Sequence, residues 1–409
     1  MPQRLITALV LVIVLLAAAV QAGCWDLRQA EDLGYVMATA VDRTPQGLVK
    51  LLVQVPNPRA LAAGPRGGVT PGASISSKAF RNYEVVGRTI FDAIRAAAHQ
   101  SPKRLFFAQN RTVIFSEDLA RQGLGDVLDF FGRSVEIRRR LNRVFVAKGD
   151  VRKILNVPNP HGVCPALRID NIVRWRGQTS HFAAVPLSKV LETLSLDGQE
   201  PFVGVIEAVA NPTATPRVRK DLSMEPPLTI TLTGAALFRQ DRLVGFLNEP
   251  ETRGLLWVLN EVRGGQLVVP GPGGKGQIAA DIHGGQATIK PELTDGRIRM
   301  TVEISVVGDV AEAEGPFDLS KPEVAKEIDR LCAAAVRREV LAAVAKAQEV
   351  QSDVFGFGEA FRRRFPQEWK TIKDDWPEIF PGVEVLVKVD AEMIHHIGMI
   401  SKSRAISVP

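Results

Sequence analysis

The chain is 409 residues long, 45% apolar and 23% charged, an ordinary globular composition with room for two or three domains and sizeable cores. Its +6 formal charge is mixed along the chain, with no basic stripe interleaved with aromatics, which excludes a nucleic-acid binder. A modest cationic surplus suits a protein lying near an anionic membrane surface, where each Lys or Arg adds about 1 kcal/mol.

The first element is a leader. One basic residue, Arg4, precedes the apolar run 5–20. That run has the length of a secretory h-region and falls short of the roughly 20 apolar residues that a spanning helix needs. The small residues Ala22 and Gly23, suited to a narrow peptidase cleft, precede Cys24. A cysteine directly after such a cut looks like a bacterial lipobox, in which the thiol takes up diacylglycerol before cleavage. Residues 1–23 are therefore read as the signal peptide, with cleavage after Gly23 and Cys24 as the lipid-attachment residue. Gln21 stands where lipoproteins usually carry an aliphatic residue. That departure favours an ordinary signal peptide, and a third reading keeps 5–20 as an uncleaved membrane anchor. Two acyl chains matter because each buried methylene contributes about 0.8 kcal/mol and one chain holds only marginally.

Beyond the leader, 35–41 and 48–55 read as strands joined by a turn at 42–47, a plausible hairpin. Residues 56–77, rich in Gly, Pro, Ala and Ser, read as a mobile excursion without apolar period. Val86, Ile90, Ile94 and Ala97 mark one face of a helix, and Leu124, Val127, Leu128 and Phe131 another. Strands are expected at 105–107, 112–115 and 141–147, with Phe106 and Phe107 on opposite faces. Such alternation makes the class mixed α and β. A Pro- and Gly-containing joint at 157–163, a short helix at 186–196 and a strand at 203–209 precede the proline-rich stretch 211–227, taken as the main linker.

In the C-terminal half, 228–232, 298–306 and 383–389 alternate apolar and polar residues, which favours an antiparallel or mixed sheet with one wet face. Ser320 with Glu323 reads as a capping box and Leu319 with Val324 as a hydrophobic staple. The helix they open runs from 321 to 351, roughly 45 Å, with Val324, Ile328, Leu331, Ala335 and Val336 facing the sheet. A further helix at 366–376 puts Trp369, Ile372 and Trp376 on one face and stops at Pro377. The whole reads as α+β and multi-domain: an N-terminal region 24–210, divisible at about 157, then the linker 211–227 and a domain 228–409 with a sheet covered by one long helix.

No catalytic constellation is present in the sequence. His99, His161, His181, His283, His395 and His396 form neither HExxH nor a metal spacing with cysteines, and no metal or cofactor is expected. His395 and His396 end a strand and point to opposite faces. Gly271 to Gly276 fails the Walker pattern at Val269 and Gly276 and reads as a hairpin tip. Phe355-Gly356-Phe357-Gly358 lacks the third glycine of a dinucleotide fingerprint and reads as a turn with positive φ at its glycines and both phenylalanines in the core. Asp374 and Asp375 read as a solvated helix face. Cys164 and Cys332 are too few and too distant for a disulfide framework, and Cys332 reads as a buried thiol.

Several blocks in order resemble a known family. They are Gly23-Cys24-Trp25-Asp26, Asp32-Leu33-Gly34, Val53-Gln54-Val55 with Asn57-Pro58, and Gly87-Arg88-Thr89-Ile90-Phe91-Asp92. Next come Ser101-Pro102-Lys103-Arg104, Glu136-Ile137-Arg138-Arg139, Val146-Ala147-Lys148-Gly149-Asp150, Asp353-Val354-Phe355-Gly356-Phe357-Gly358-Glu359, Pro366-Gln367-Glu368-Trp369 and Trp376-Pro377-Glu378. Together they resemble the C subunit of spore germinant receptors, the Ger(x)C lipoproteins. The resemblance implies a non-enzymatic subunit of three α/β domains on the outer face of the spore inner membrane. It also implies partnership with two integral-membrane subunits, the A and B proteins. The runner-up reading is a solute-binding lipoprotein of a transporter, which would show two doubly wound lobes, and the third an exported hydrolase.

Overall fold

The computed structural model describes residues 2–21, 29–57, 79–157, 164–211 and 228–394. Residues 2–21, within the stretch expected as a leader, form a 20-residue helix, α1 (Pro2–Gln21). Beyond it, no described helix is long and apolar enough to cross a membrane.

The first folded unit opens with β1 (Leu33–Tyr35), β2 (Ala38–Arg43), β3 (Val49–Pro56) and β4 (Phe80–Gly87), then α2 (Ile90–Ala96) and β5 (Arg104–Phe106). The strand expected at 35–41 is two strands, because its halves find different partners. β1 pairs parallel with β5, while β2 lies between β3, antiparallel, and β6 (Thr112–Ser116), parallel. Val86 is not on the helix face that its spacing suggested; it ends β4 and is exposed. The helix begins only after Thr89, whose hydroxyl accepts from the Asp92 amide at 3.1 Å. The unit continues with α3 (Glu117–Gln122), α4 (Gly125–Arg133), β7 (Arg143–Lys148), α5 (Val151–Asn156), α6 (Pro165–Arg174), β8 (Val185–Pro186), α7 (Leu187–Thr193) and β9 (Phe202–Ala210).

β10 (Leu228–Arg239) and β11 (Arg242–Leu247) complete a nine-stranded mixed sheet in the order β11-β10-β9-β7-β6-β2-β3-β4, with β8 attached to β7. Its central strands are buried on both faces, as in a parallel layer covered twice. Val113, Phe115, Val144 and Val146 enter one core beneath α2, α3 and α4. Ile114, Phe145 and Ala147 enter the opposite core with Ile154 of α5 and Ile169 of α6. The alternation at 228–232 is a half-buried strand, but β10 pairs with β9 from Leu228↔Ala210 to Leu237↔Phe202. Period two does not say which sheet receives a strand. The stretch expected as linker, of which 212–227 lie outside the described residues, therefore connects neighbouring strands of one sheet.

The second unit holds α8 (Glu249–Val258), β12 (Gly265–Pro270), β13 (Gln277–Thr294), β14 (Arg297–Glu314), α9 (Pro322–Glu349), α10 (Phe357–Arg364), α11 (Pro366–Ile372), α12 (Trp376–Ile379) and β15 (Glu384–Ile394). β12, β13 and β14 run antiparallel and β15 joins β14 in parallel, giving the mixed sheet expected. The 28-residue α9 lays Ile328, Cys332, Ala335, Val336, Val340 and Val344 into its core. The expected capping box is not made. Lys321 stands at the N-cap, and the Ser320 hydroxyl instead donates to Asp318 at 2.7 Å, a closer carboxylate acceptor. The box occurs at α8, where Asn248 accepts from the Glu251 amide at 2.9 Å and Glu251 accepts from the Asn248 amide at 2.8 Å. The helix expected at 366–376 is two, because Pro377 needs no amide partner and begins α12 instead of ending α11. Cys164 and Cys332 are both free and buried.

α8 and α9 touch through a glycine. A Cβ at Gly254 would overlap the Glu339 carbonyl and meet the Ala343 Cβ at 3.0 Å. Gly254→Ala in an unhindered helix would gain about 1 kcal/mol. Here it is expected to cost about 1–3 kcal/mol by forcing the helices apart, and the sign in a denaturant titration decides between the two.

Candidate functional site

Cys24 and the cut after Gly23 lie outside the described residues. Residues 29–32 are exposed, and the chain joins the first unit from Leu33. Tyr35 donates to the Ala30 carbonyl at 3.5 Å, and β1 sets Leu33 beside Arg104. The chain thus joins the first unit at the Lys103–Arg104 corner. Next to that corner, between α2 and the end of α4, is a groove of about 970 Å³ lined in part by Arg88, Phe91, Arg95, Lys103, Phe130 and Val135. Phe91 is 55% exposed and Val135 fully so. The Arg95 guanidinium lies 4.8 Å from the centre of the Phe91 ring. Along the groove Arg104 pairs with Glu136 at 3.4 Å and Arg43 with Asp126 at 3.9 Å, while Arg133 pairs with Asp129 of its own helix at 2.8 Å.

Two buried polar clusters were not anticipated from sequence. In the first, Arg253 forms a double-pronged pair with Glu339, both nearly buried, and donates to the Gln266 carbonyl. Arginine has no acceptor, so its contact with Nε2 of His181 at 3.0 Å makes that nitrogen the acceptor. Burial, then the Arg253 charge, push the His181 pKa down, which keeps the ring neutral. Trp257 adds an indole N–H to Glu339 at 3.3 Å. The cluster fastens α8, α9, β12 and the 181 segment. An arginine next to the apolar run 255–258 was the available signal.

In the second, the fully buried Asp353 accepts from the amides of Phe357 at 3.0 Å and Gly358 at 2.7 Å and from Trp376 Nε1 at 3.0 Å. Burial pushes its carboxyl up to about 6 against the lowering by those donors. Around it the units are stitched together. The Asp353 carbonyl accepts from the Glu200 amide at 2.8 Å, and the Gly198 carbonyl from the Glu359 amide at 2.9 Å. Gly356 has φ +73°, as expected of this turn, and both Phe355 and Phe357 are buried and stacked at 5.1 Å. Gly358 is not in a positive-φ conformation; it is glycine because a Cβ would sit 2.6 Å from Trp376 Nε1.

The remaining motifs have structural roles. Gly271 to Gly276 is the β12–β13 tip, closed by the Gly271 amide on the Gly276 carbonyl at 3.0 Å. The Gly273 amide there donates to the Glu327 carboxylate at 2.9 Å, so the loop already faces an anion. His283 lies 3.3 Å from Asp309 on the β13–β14 surface. Phe106 is half-buried in β5, whereas Phe107 has left the strand and is buried. Asp374 and Asp375 are exposed. Among the described residues no group of three His, Cys, Asp or Glu side chains could hold a metal ion. His161, His395 and His396 lie outside them.

This architecture has a counterpart. The crystal structure of the GerBC protein superimposes with a TM-score of 0.55 at 18% identity, covering 87% of this chain and 96% of that one, which shows a shared fold. The class is thus a mixed α+β protein with two large sheets and a two-stranded one, the four-stranded sheet lying under one long helix. Two family models match in sequence order: the spore germination protein N-terminal domain over residues 26–208, and the spore germination B3/GerAC-like C-terminal domain over 233–397. The chain belongs to this GerAC-like family of spore germination proteins. Among relatives from Bacillus subtilis (strain 168), spore germination protein KC is 26% identical over 389 residues, 93% of this chain and 94% of the relative. Spore germination protein YndF is 25% identical over 96% of this chain and 97% of the relative, and spore germination protein B3 is 23% identical over 93% and 95%.

Asp353 supplies a test of the joint. Its folded pKa of about 6 lies above the ordinary 3.8, so its contribution to stability is present below 3.8 and lost as pH rises through 6. Relative to Asp353→Asn, the native chain is expected to lose about 3 kcal/mol of unfolding free energy between about pH 4 and pH 7. Parallel pH profiles of the two proteins would refute a buried titrating carboxyl.

Proposed function

We propose that this chain is the lipid-anchored C subunit of a spore germinant receptor. Cys24 carries diacylglycerol and holds the folded units on the outer face of the spore inner membrane. There they take part in assembly and signalling with two integral-membrane partners, the A and B subunits. The observation that carries the reading is the coverage of both halves by spore germination family models, 26–208 and 233–397, beginning just after the lipobox-like Cys24. The buried polar groups support a non-catalytic role. Arg253, Glu339 and Asp353 are each engaged with main chain or with one another, and His181 is tied to Arg253. A solute-binding lipoprotein would need two doubly wound lobes. The second unit instead is a four-stranded sheet with a single parallel pair.

The anchor acts through local concentration. A short tether holds a weakly binding body at an effective concentration in the millimolar range beside its target, raising apparent affinity by orders of magnitude without new contacts. Cys24→Ala is therefore expected to release the protein from the membrane fraction of spores and to depress nutrient-triggered germination. Unchanged retention together with unchanged germination would contradict the anchor.

A further inference from the structure

We propose that the face around the β1–β5 corner, including the groove bearing Phe91 and Val135, seats on an anionic phospholipid bilayer. The inference rests on lipid attachment at Cys24 and adds to it an orientation of the first unit on the membrane.

Reach comes first. Leu33, which is paired with Arg104, stands nine positions after Cys24. An extended chain gains at most about 3.3–3.6 Å per residue, so the corner lies within roughly 30 Å of a lipidated Cys24. Lys103 and Arg104 stand where the tether joins the body, and both are exposed.

Charge comes second. Arg43 and Arg104 have carboxylate partners on other elements, and Arg133 pairs with Asp129 one turn back on its own helix. Arg88, Arg95 and Lys103 make no ion pair with a described residue, and all three are exposed. The nearby Asp92 accepts from the Arg88 amide at 2.8 Å at the start of α2. The groove lining therefore carries six cations against three carboxylates, and the Asp92 carboxylate beside it lowers the local surplus from three to two. Near an anionic leaflet each such cation raises partition about fivefold.

The third observation is apolar. On α2, Ile90 and Ala93 are buried, while Phe91 projects outward with the Arg95 guanidinium over its ring. Val135, in the turn after α4, is fully exposed. An aromatic ring, an aliphatic side chain and snorkelling cations in one surface suit the boundary between headgroups and acyl chains.

The test uses the full-length lipoprotein with Val135→Cys carrying a polarity-sensitive dye, reconstituted into vesicles. Labelling is selective, since Cys24 is consumed in its thioether, while Cys164 and Cys332 are buried and their thiols pushed up, Cys332 to about 12. In vesicles of phosphatidylglycerol and phosphatidylcholine the dye is expected to shift to the blue. The shift should vanish in phosphatidylcholine alone and in high salt, which shortens the Debye length to about 3 Å at 1 M. A dye placed by Leu293→Cys, at the β13–β14 turn, should not shift. The triple variant Arg88→Gln, Arg95→Gln, Lys103→Gln should lose on the order of a hundredfold in partition of this face. It should still sediment with the vesicles.

Sedimentation reports the anchor and the dye reports the face, so the two readings fail separately. A protein that does not sediment with vesicles overturns the anchor. A protein that sediments with an unshifted dye overturns the face. A shift equal in neutral vesicles, or one that appears only when a second copy or another protein is added, also overturns it.

Discussion

The structure depends on how residues 351–359 are held. Here α9 ends and the chain turns back against the first unit, and nearly every polar group along the turn is claimed from across the junction. Ser352 donates to the Phe238 carbonyl, Arg239 to Gln351, Gln199 to the Val354 carbonyl, and the Glu200 amide to the Asp353 carbonyl. Asp353 gathers three N–H donors that would otherwise be buried without an acceptor. A carboxylate serves this position because it offers lone pairs for all three donors and needs no donor of its own. Each orphaned buried donor would cost about 1–3 kcal/mol. The aromatic side chains Phe357, Phe361, Trp376 and Phe380 then close over the site and exclude water.

The same logic governs the Arg253–Glu339 pair. An ion pair taken out of water contributes little by itself, since desolvation offsets attraction. Its value here is placement. Arg253 reaches from α8 to α9, the Gln266 carbonyl and His181 at once, while the close contact at Gly254 sets the spacing of the two helices. Two buried polar anchors, one at either side of the α8–α9 contact, fix the long helix at its middle and its end. The surfaces that the units present are thereby held in one arrangement.

Sequence carried the elements further than their neighbours. The 28-residue α9, the alternation of β14 and β15 and the amphipathic α4 were legible because each is a long local pattern with one buried face. The assignment of 228–232 to a later sheet failed where the pattern holds no information: alternation marks a wet and a dry face, and β9 happened to be the available edge. Ser320 and Glu323 matched a capping box by spacing alone, and Asp318 took the hydroxyl. Asp353 was visible only as part of a Phe-Gly-Phe-Gly block. Its role required knowing that Trp376 and Gly198 arrive from distant parts of the chain. The groove cations were equally hidden, since Arg88, Arg95 and Lys103 are ordinary surface residues until the fold brings their loops to one rim.

These features bear on how the subunit would be oriented on the proposed lipid tether. Three unpaired cations alone bind a bilayer weakly and reversibly, and two acyl chains alone leave the body free to tumble on its tether. Together the terms multiply. The proposed tether would raise the local concentration of the face at the leaflet, so that a fivefold preference per cation would suffice to bias which side looks down. Phe91 and Val135 add a short-range term that survives screening, whereas the cations act only within a Debye length of about 8 Å at physiological ionic strength. With the β1–β5 corner at the leaflet, the second unit and the long α9 are set by the Asp353 joint and not by a flexible hinge. An orientation fixed at one corner is thus passed on to the rest of the chain, and the surfaces left facing sideways are the ones available to neighbours in the membrane.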